Sequence, residues 1–211
     1  MTQVIESQAV ATLSASDLPE IGAPFEGGFF GGQVKVGVAV FAIIWAPKAI
    51  GETRAAWLPS YDQVPNTASR SDSMANTIAM AEAGSPAGIW ARGLSIAGHS
   101  DWCVPARDVL ELAYRHFKPT TEENFADGED GVNESSVPLG EAYTEESPAQ
   151  TEIAAFVEGG DEAFEETWYW SSTQYSDAFA WSQYFCNGLQ DNYNEKFAGA
   201  VRAVRLIQLT T

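Results

Sequence analysis

The chain has 211 residues, of which 29 are Asp or Glu and 11 are Lys or Arg, for a formal net charge of −18. Such a charge repels phosphate backbones and disfavours nucleic acid and anionic membrane surfaces as partners. The length suits one domain with an arm, and seven Trp among 45% hydrophobic residues supply a sizeable core.

Met1 to Leu13 lacks the basic and apolar regions of a signal peptide, so assembly in a cytoplasm with reduced thiols is expected. Residues 1–25 have no clear period and are expected to form an N-terminal arm, either a tether or a plain tail. Gln33 to Val36 and Val38 to Ala46 predict two strands about Gly37; the apolar run ending at Pro47 is too short to span a bilayer. Pro47 to Glu52 reads as a loop. Met74 to Ala83 predicts a helix stopped by Gly84, and Ser85-Pro86 starts a second one running to about Arg92. Ala106 to Phe117 predicts a third, with Val109, Ala113 and Phe117 at helical spacing.

Residues 118–166 hold fifteen acids and one base, Lys118. They read as a solvated acidic insertion of long loops, with Thr151 to Val157 a strand or a helical turn. Asp127, Glu129, Asp130, Asn133 and Glu134 offer oxygen ligands but miss the calcium-loop spacing, so no metal is assigned. Cys103 and Cys186 form no metal or disulfide pattern. The last part reads as β. Trp168 to Ser171 is one strand, Trp181 to Cys186 alternates with period two, Asn187-Gly188 is a hairpin signal, and Val201 to Leu206 is the closing strand.

Asp101-Trp102-Cys103-Val104-Pro105-Ala106-Arg107-Asp108-Val109-Leu110-Glu111-Leu112 resembles an element of the domain family named after the C-terminus of the Legionella collagen-like protein. Tyr169-Trp170-Ser171-Ser172-Thr173, Ala180-Trp181, Phe185, Asn187-Gly188 and Val201-Arg202-Ala203-Val204-Arg205 resemble its second signature. The likeness spans roughly residues 28–211. It implies an α+β, C-type-lectin-like fold with two small antiparallel sheets, two to three short helices and long loops over residues 26–211. It also implies a place among phage and prophage structural proteins, or among variable proteins that display altered residues to host receptors. Ala106 stands where that family has a capping Ser or Thr, which predicts a helix start weaker by about 1 kcal/mol. The sugar-binding calcium motifs of animal C-type lectins are absent. Formylglycine-generating enzymes share the fold family at a distance, but the two cysteines here are not in their motif.

Trp170 and Trp181 are expected in the core, and Arg202 and Arg205 are expected to pair with acids or carbonyls. With no G-x-S-x-G elbow, Ser171, Ser172 and Thr173 are not expected to act as nucleophiles. The candidate ligand-binding residues are Tyr175, Asp177, Phe179, Ser182, Tyr184, Asn187, Leu189, Asp191, Asn192, Tyr193, Asn194, Glu195 and Phe197. They are adaptable contact types interleaved with the framework, on either a binding surface or an ordinary polar hairpin. The expectation is a non-enzymatic bacteriophage virion protein, a tail or capsid decoration, with no cofactor. Its partners would be other virion proteins through the arm and a host receptor or glycan, and its assembly a homotrimer. A bacterial surface adhesin is the alternative.

Overall fold

The structure, a computed structural model, describes residues 13–210. The chain is α+β, with two sheets and four helices among the described residues. The strands are β1 (Leu13–Ser14), β2 (Pro24–Phe25), β3 (Gly28–Val36), β4 (Ala39–Trp45), β5 (Glu52–Ala56) and β6 (Ser136–Val137). They continue as β7 (Trp168–Gln174), β8 (Phe179–Tyr184), β9 (Gln190–Asn194), β10 (Ala198–Arg202) and β11 (Val204–Thr210). The helices are α1 (Lys48–Gly51), α2 (Ser73–Glu82), α3 (Pro86–Arg92) and α4 (Arg107–Phe117). None is long and apolar enough to cross a membrane.

The first sheet runs β1-β11-β4-β3-β2, with β6 also on β3; the second runs β5-β10-β7-β8-β9. Both are mixed rather than antiparallel throughout, because β1 lies parallel to β11 and β10 parallel to β7. Of the expected arm, residues 1–12 fall outside the described residues. The rest joins the first sheet: β1 pairs β11 and β2 pairs β3, where a free arm was expected.

The expected closing strand is in fact two. β10 ends at Arg202 in the second sheet and β11 starts at Val204 in the first. Ala203 between them donates to Gly51 O and accepts from Ala46 N, stitching the crossover to the matching one between β4 and β5. The loop expected over Pro47 to Glu52 holds the single turn α1 and leads straight into β5.

α2 and α3 follow their caps. The Asp72 side chain accepts from Ala75 N and Ser85 Oγ accepts from Gly88 N, with Pro86 at the first helical position. Helix α4 has no side-chain cap at Ala106. Its first-turn donors are taken from a distance instead: Arg107 N donates to Thr173 Oγ1 at 3.0 Å and Asp108 N to Arg70 O at 2.8 Å. The weak start expected there is offset by the rest of the fold.

The main core joins β3 and β4, α4 and the second sheet through Trp45, Leu110, Phe117, Tyr169 and Phe185. Tyr143, Phe156 and Phe164 of the acidic segment are buried in the same cluster, Phe156 stacked on Phe117 at 4.1 Å. This corrects the solvated insertion. The segment has almost no regular structure, yet it packs as core, and its acids turn outward or bond inside. Asn133 is buried and donates to Glu111 Oε2, while Ser135 donates to Asp108 Oδ2. A second cluster packs α2 and α3 on the other face of the second sheet through Trp57, Met80, Trp170, Ala180 and Val201.

The two family-like segments meet in space. Arg205 Nε donates to Asp101 Oδ1 at 2.5 Å, and buried Arg202 donates to Ala46 O and bonds Glu162. Both arginines take the structural roles expected of them.

A candidate binding surface on the outer ribbon

Strands β7, β8 and β9 form a ribbon with β9 at the free edge of the second sheet. Register sets which side chains share a face. Trp168 pairs Tyr184, Trp170 pairs Ser182, Ser182 pairs Asp191, and Ala180 pairs Tyr193. Directly opposed residues point the same way, so Trp168, Trp170, Tyr184, Asp191 and Tyr193 lie on one face. Tyr169, Trp181, Gln183 and Asn192 lie on the other.

On the first face Trp170 is buried, and its indole Nε1 donates to Ala55 O at 3.2 Å and Phe197 O at 3.3 Å. Its ring centroid is 6.5 Å from that of Tyr193. Beyond it the face is uncovered and carries a row of rings. Trp168 stacks on Tyr184 at 5.1 Å and on Tyr193 at 6.1 Å, and Phe197 meets Tyr193 edge-on at 5.1 Å. Tyr193 is 42% exposed and Phe197 43%. Asp191 is exposed on the same face, and exposed Glu166 adjoins the start of β7. The Cys186 thiol, and to a smaller degree Glu166, hold the Tyr184 hydroxyl pKa above its usual value. The phenol stays neutral at physiological pH.

The free edge is partly blunted against strand addition. Gln190 N donates to Asp130 Oδ2 at 3.1 Å and Asn192 N to Asp191 Oδ1 at 2.7 Å, so two of the outward amides of β9 are taken by carboxylates. Burial pushes the Asp130 carboxyl up to about 6, helped by Asp127 and Asp191 and opposed by the Gln190 amide and Arg107. Among the described residues no three His, Cys, Asp or Glu converge as metal ligands. Asp127 is used instead to accept from Glu129 N and Asp130 N.

The thirteen candidate residues divide. Tyr184, Asp191, Tyr193 and Phe197 share the ring-bearing face. Asn192 lies opposite Trp181 on the other, while Tyr175 (56% exposed), Asp177 and Phe179 crowd the β7–β8 turn. Asn187 and Leu189 are half-buried in the β8–β9 loop. Asn194, also half-buried, donates to Tyr61 Oη.

Two candidates are corrected outright. Ser182 is 3% exposed and donates to Asp191 O, because its face is roofed by Trp170. Glu195 is 0% exposed; Oε1 accepts from Gln174 Nε2 at 2.9 Å, and Oε2 is buried without a partner. Burial first, then nearby Asp177 and Asp62, push its carboxyl up to about 7, against the Gln174 bond that lowers it.

Trp181, expected in the core, is only half-buried. It sits on the second face under the Arg107 guanidinium, 4.0 Å from its centroid, with Tyr175 edge-on at 5.3 Å. The hairpin is also wider than a two-residue Asn-Gly turn. Five residues link β8 to β9, with Phe185 buried and Gly188 at φ +80, where a Cβ would stand 2.4 Å from the Tyr114 ring.

The hydroxyls of Ser171, Ser172 and Thr173 are buried and bonded within the fold. Ser171 Oγ donates to Trp181 O, Ser172 Oγ accepts from Asn76 Nδ2 and Thr173 Oγ1 donates to Ser69 O. Cys103 is buried, and burial raises its thiol pKa far above the usual range.

Absent from the candidate set is Trp168, the ring that joins Tyr184 to Tyr193. The available signal was its spacing, two positions before Trp170 and hence on the same face.

No protein-family model, curated protein or solved structure matches this chain.

Proposed function

We propose that this chain is a non-enzymatic bacteriophage virion protein, a tail or capsid decoration with a C-type-lectin-like fold. It displays the outer ribbon to a host receptor, a glycan or a neighbouring virion protein. The observation that carries the reading is the row Tyr184–Trp168–Tyr193–Phe197: two half-buried and two exposed rings, flanked on the same face by the buried Trp170, which lies beside Tyr193 and bonds Phe197 O. Rings fixed in this way lose little entropy on contact and bury large apolar area. The phage setting and the finer fold rest on the resemblance of the segments around Trp102, Trp170 and Arg202, and the mixed two-sheet α+β architecture is compatible with them. Structural use of the buried Ser171, Ser172 and Thr173 hydroxyls supports a role without covalent chemistry. A homotrimer, the arrangement that multiplies weak contacts, belongs to the same proposal.

Two measurements test it. Particles induced from the source strain and purified on a density gradient should carry the protein, seen by mass spectrometry and antibody labelling; its recovery on cell envelopes without particles would favour the adhesin. Labelled protein should bind susceptible cells saturably. The double substitution Tyr184→Ser, Tyr193→Ser should weaken that binding at least about tenfold with little change in melting temperature. Undiminished binding by the double variant would remove the ribbon from the reading.

A further inference from the structure

Within this fold, arginines repeatedly complete an arrangement of one ring and one carboxylate. Arg115 lies 5.3 Å from the Tyr143 centroid and 2.8 Å from Glu111. Arg205 lies 5.6 Å from Trp102 and 2.5 Å from Asp101, and Arg202 lies 4.8 Å from Phe164 while bonding Glu162. Two more cations stack on rings: Arg107 on Trp181 at 4.0 Å and Lys196 on Tyr61 at 3.6 Å. Among the described residues these five are the cations stacked on rings, and none lies on the row Tyr184–Trp168–Tyr193–Phe197. That row has the rings and, in Asp191 and Glu166, the carboxylates; it lacks the cation.

We propose that the missing cation comes from a partner: the ribbon face binds an exposed arginine-bearing segment of another protein, guanidinium groups lying over Trp168 and Tyr193 and reaching Asp191 and Glu166. The inference rests on the display reading above and names the chemistry of the partner. Arginine is favoured over lysine because its planar, weakly hydrated fork stacks on rings while pairing with carboxylates. A net charge of −18 draws a basic segment in and opposes a second copy of this chain on the same face. The two amide-blunted positions on β9 direct the partner onto the face of the sheet rather than its edge.

The test uses the full chain and a Gly-Ser-spaced peptide with four arginines, beside the same peptide with citrulline, a neutral isostere, and a panel of neutral oligosaccharides. Calorimetry should show the arginine peptide binding at least about tenfold more tightly than the citrulline peptide, and more weakly as salt rises from 50 to 300 mM. Tyr184→Ser with Tyr193→Ser leaves net charge unchanged and should cost about tenfold; Asp191→Asn, which keeps the rings, should cost about threefold. Equal binding by wild type and the double variant would mean attraction to net charge alone and would overturn the proposal. So would equal affinity for citrulline, preferential binding of an oligosaccharide at the rings, or self-association abolished by the same variants. If cells are bound in a tyrosine-dependent manner while the arginine peptide is not, the cation fails and the display reading stands. If neither depends on the tyrosines, both fail.

Discussion

Glu195 closes the end of the ribbon as a carboxyl without solvent. Burial favours its neutral form, so its pKa rises from 4.5 to about 7. A carboxyl raised in the folded state contributes stability that is complete below pH 4.5 and lost as pH climbs through about 7. Asp130 acts in the same sense between 3.8 and about 6. Denaturant titrations should therefore show stability falling by about 2 kcal/mol between pH 5 and pH 8. Glu195→Gln, which keeps the neutral shape, should remove most of the fall above pH 6. A wild-type profile flat over that range, or an unchanged slope in the variant, would contradict this account of the site. Both Glu195 and Ser182 look like surface residues in the sequence, because polarity by itself does not reveal a buried partner. Their burial follows from Gln174 and Trp170, which reach them only across the sheet.

At the scale of elements, α2 and α3 were legible from the stop at Gly84 and the start at Ser85-Pro86, and α4 from the helical spacing of Val109, Ala113 and Phe117. The cap of α4 was not, because its acceptor is 66 residues away in Thr173. Thr173→Val keeps the shape, strands the Arg107 amide and frees Ser69 O, so a loss of about 1–2 kcal/mol in chemical denaturation is expected. Ala106→Ser should gain little, since the first-turn donors are already taken; a full 1 kcal/mol gain would show that the distant caps are weak. The split between β10 and β11 was hidden for a different reason. Val201-Arg202-Ala203-Val204-Arg205 is buried throughout, so no change in pattern marks the residue at which the chain changes sheets. The strip on β7–β9 was half visible. The tyrosines stood out by type, but which of them share a face depended on pairing register, and Trp168 was hidden by its resemblance to a core residue.

Across the whole molecule, the acidic segment is where composition misled most. Fifteen acids mask three core aromatics, Tyr143, Phe156 and Phe164, spaced too widely to form a periodic pattern. Although it has little regular structure, the segment should resist limited proteolysis over residues 120–165, and Phe156→Ala should cost about 3–5 kcal/mol. Rapid cleavage there in an otherwise intact protein would contradict the packing. The first sheet carries an apolar cluster on each face, and the ribbon's ring-bearing patch stands as an apolar surface on a strongly anionic body. Side-chain oxidative footprinting, comparing the free protein with protein bound to cells or particles, tests that claim most directly. Bound protein should show protection at Trp168, Tyr184, Tyr193 and Phe197, with Val38 and Ile89 unchanged and Trp170 unreactive in both states. Protection confined to Val38, Ile89 or another exposed site, with the four rings as reactive as before, would contradict it.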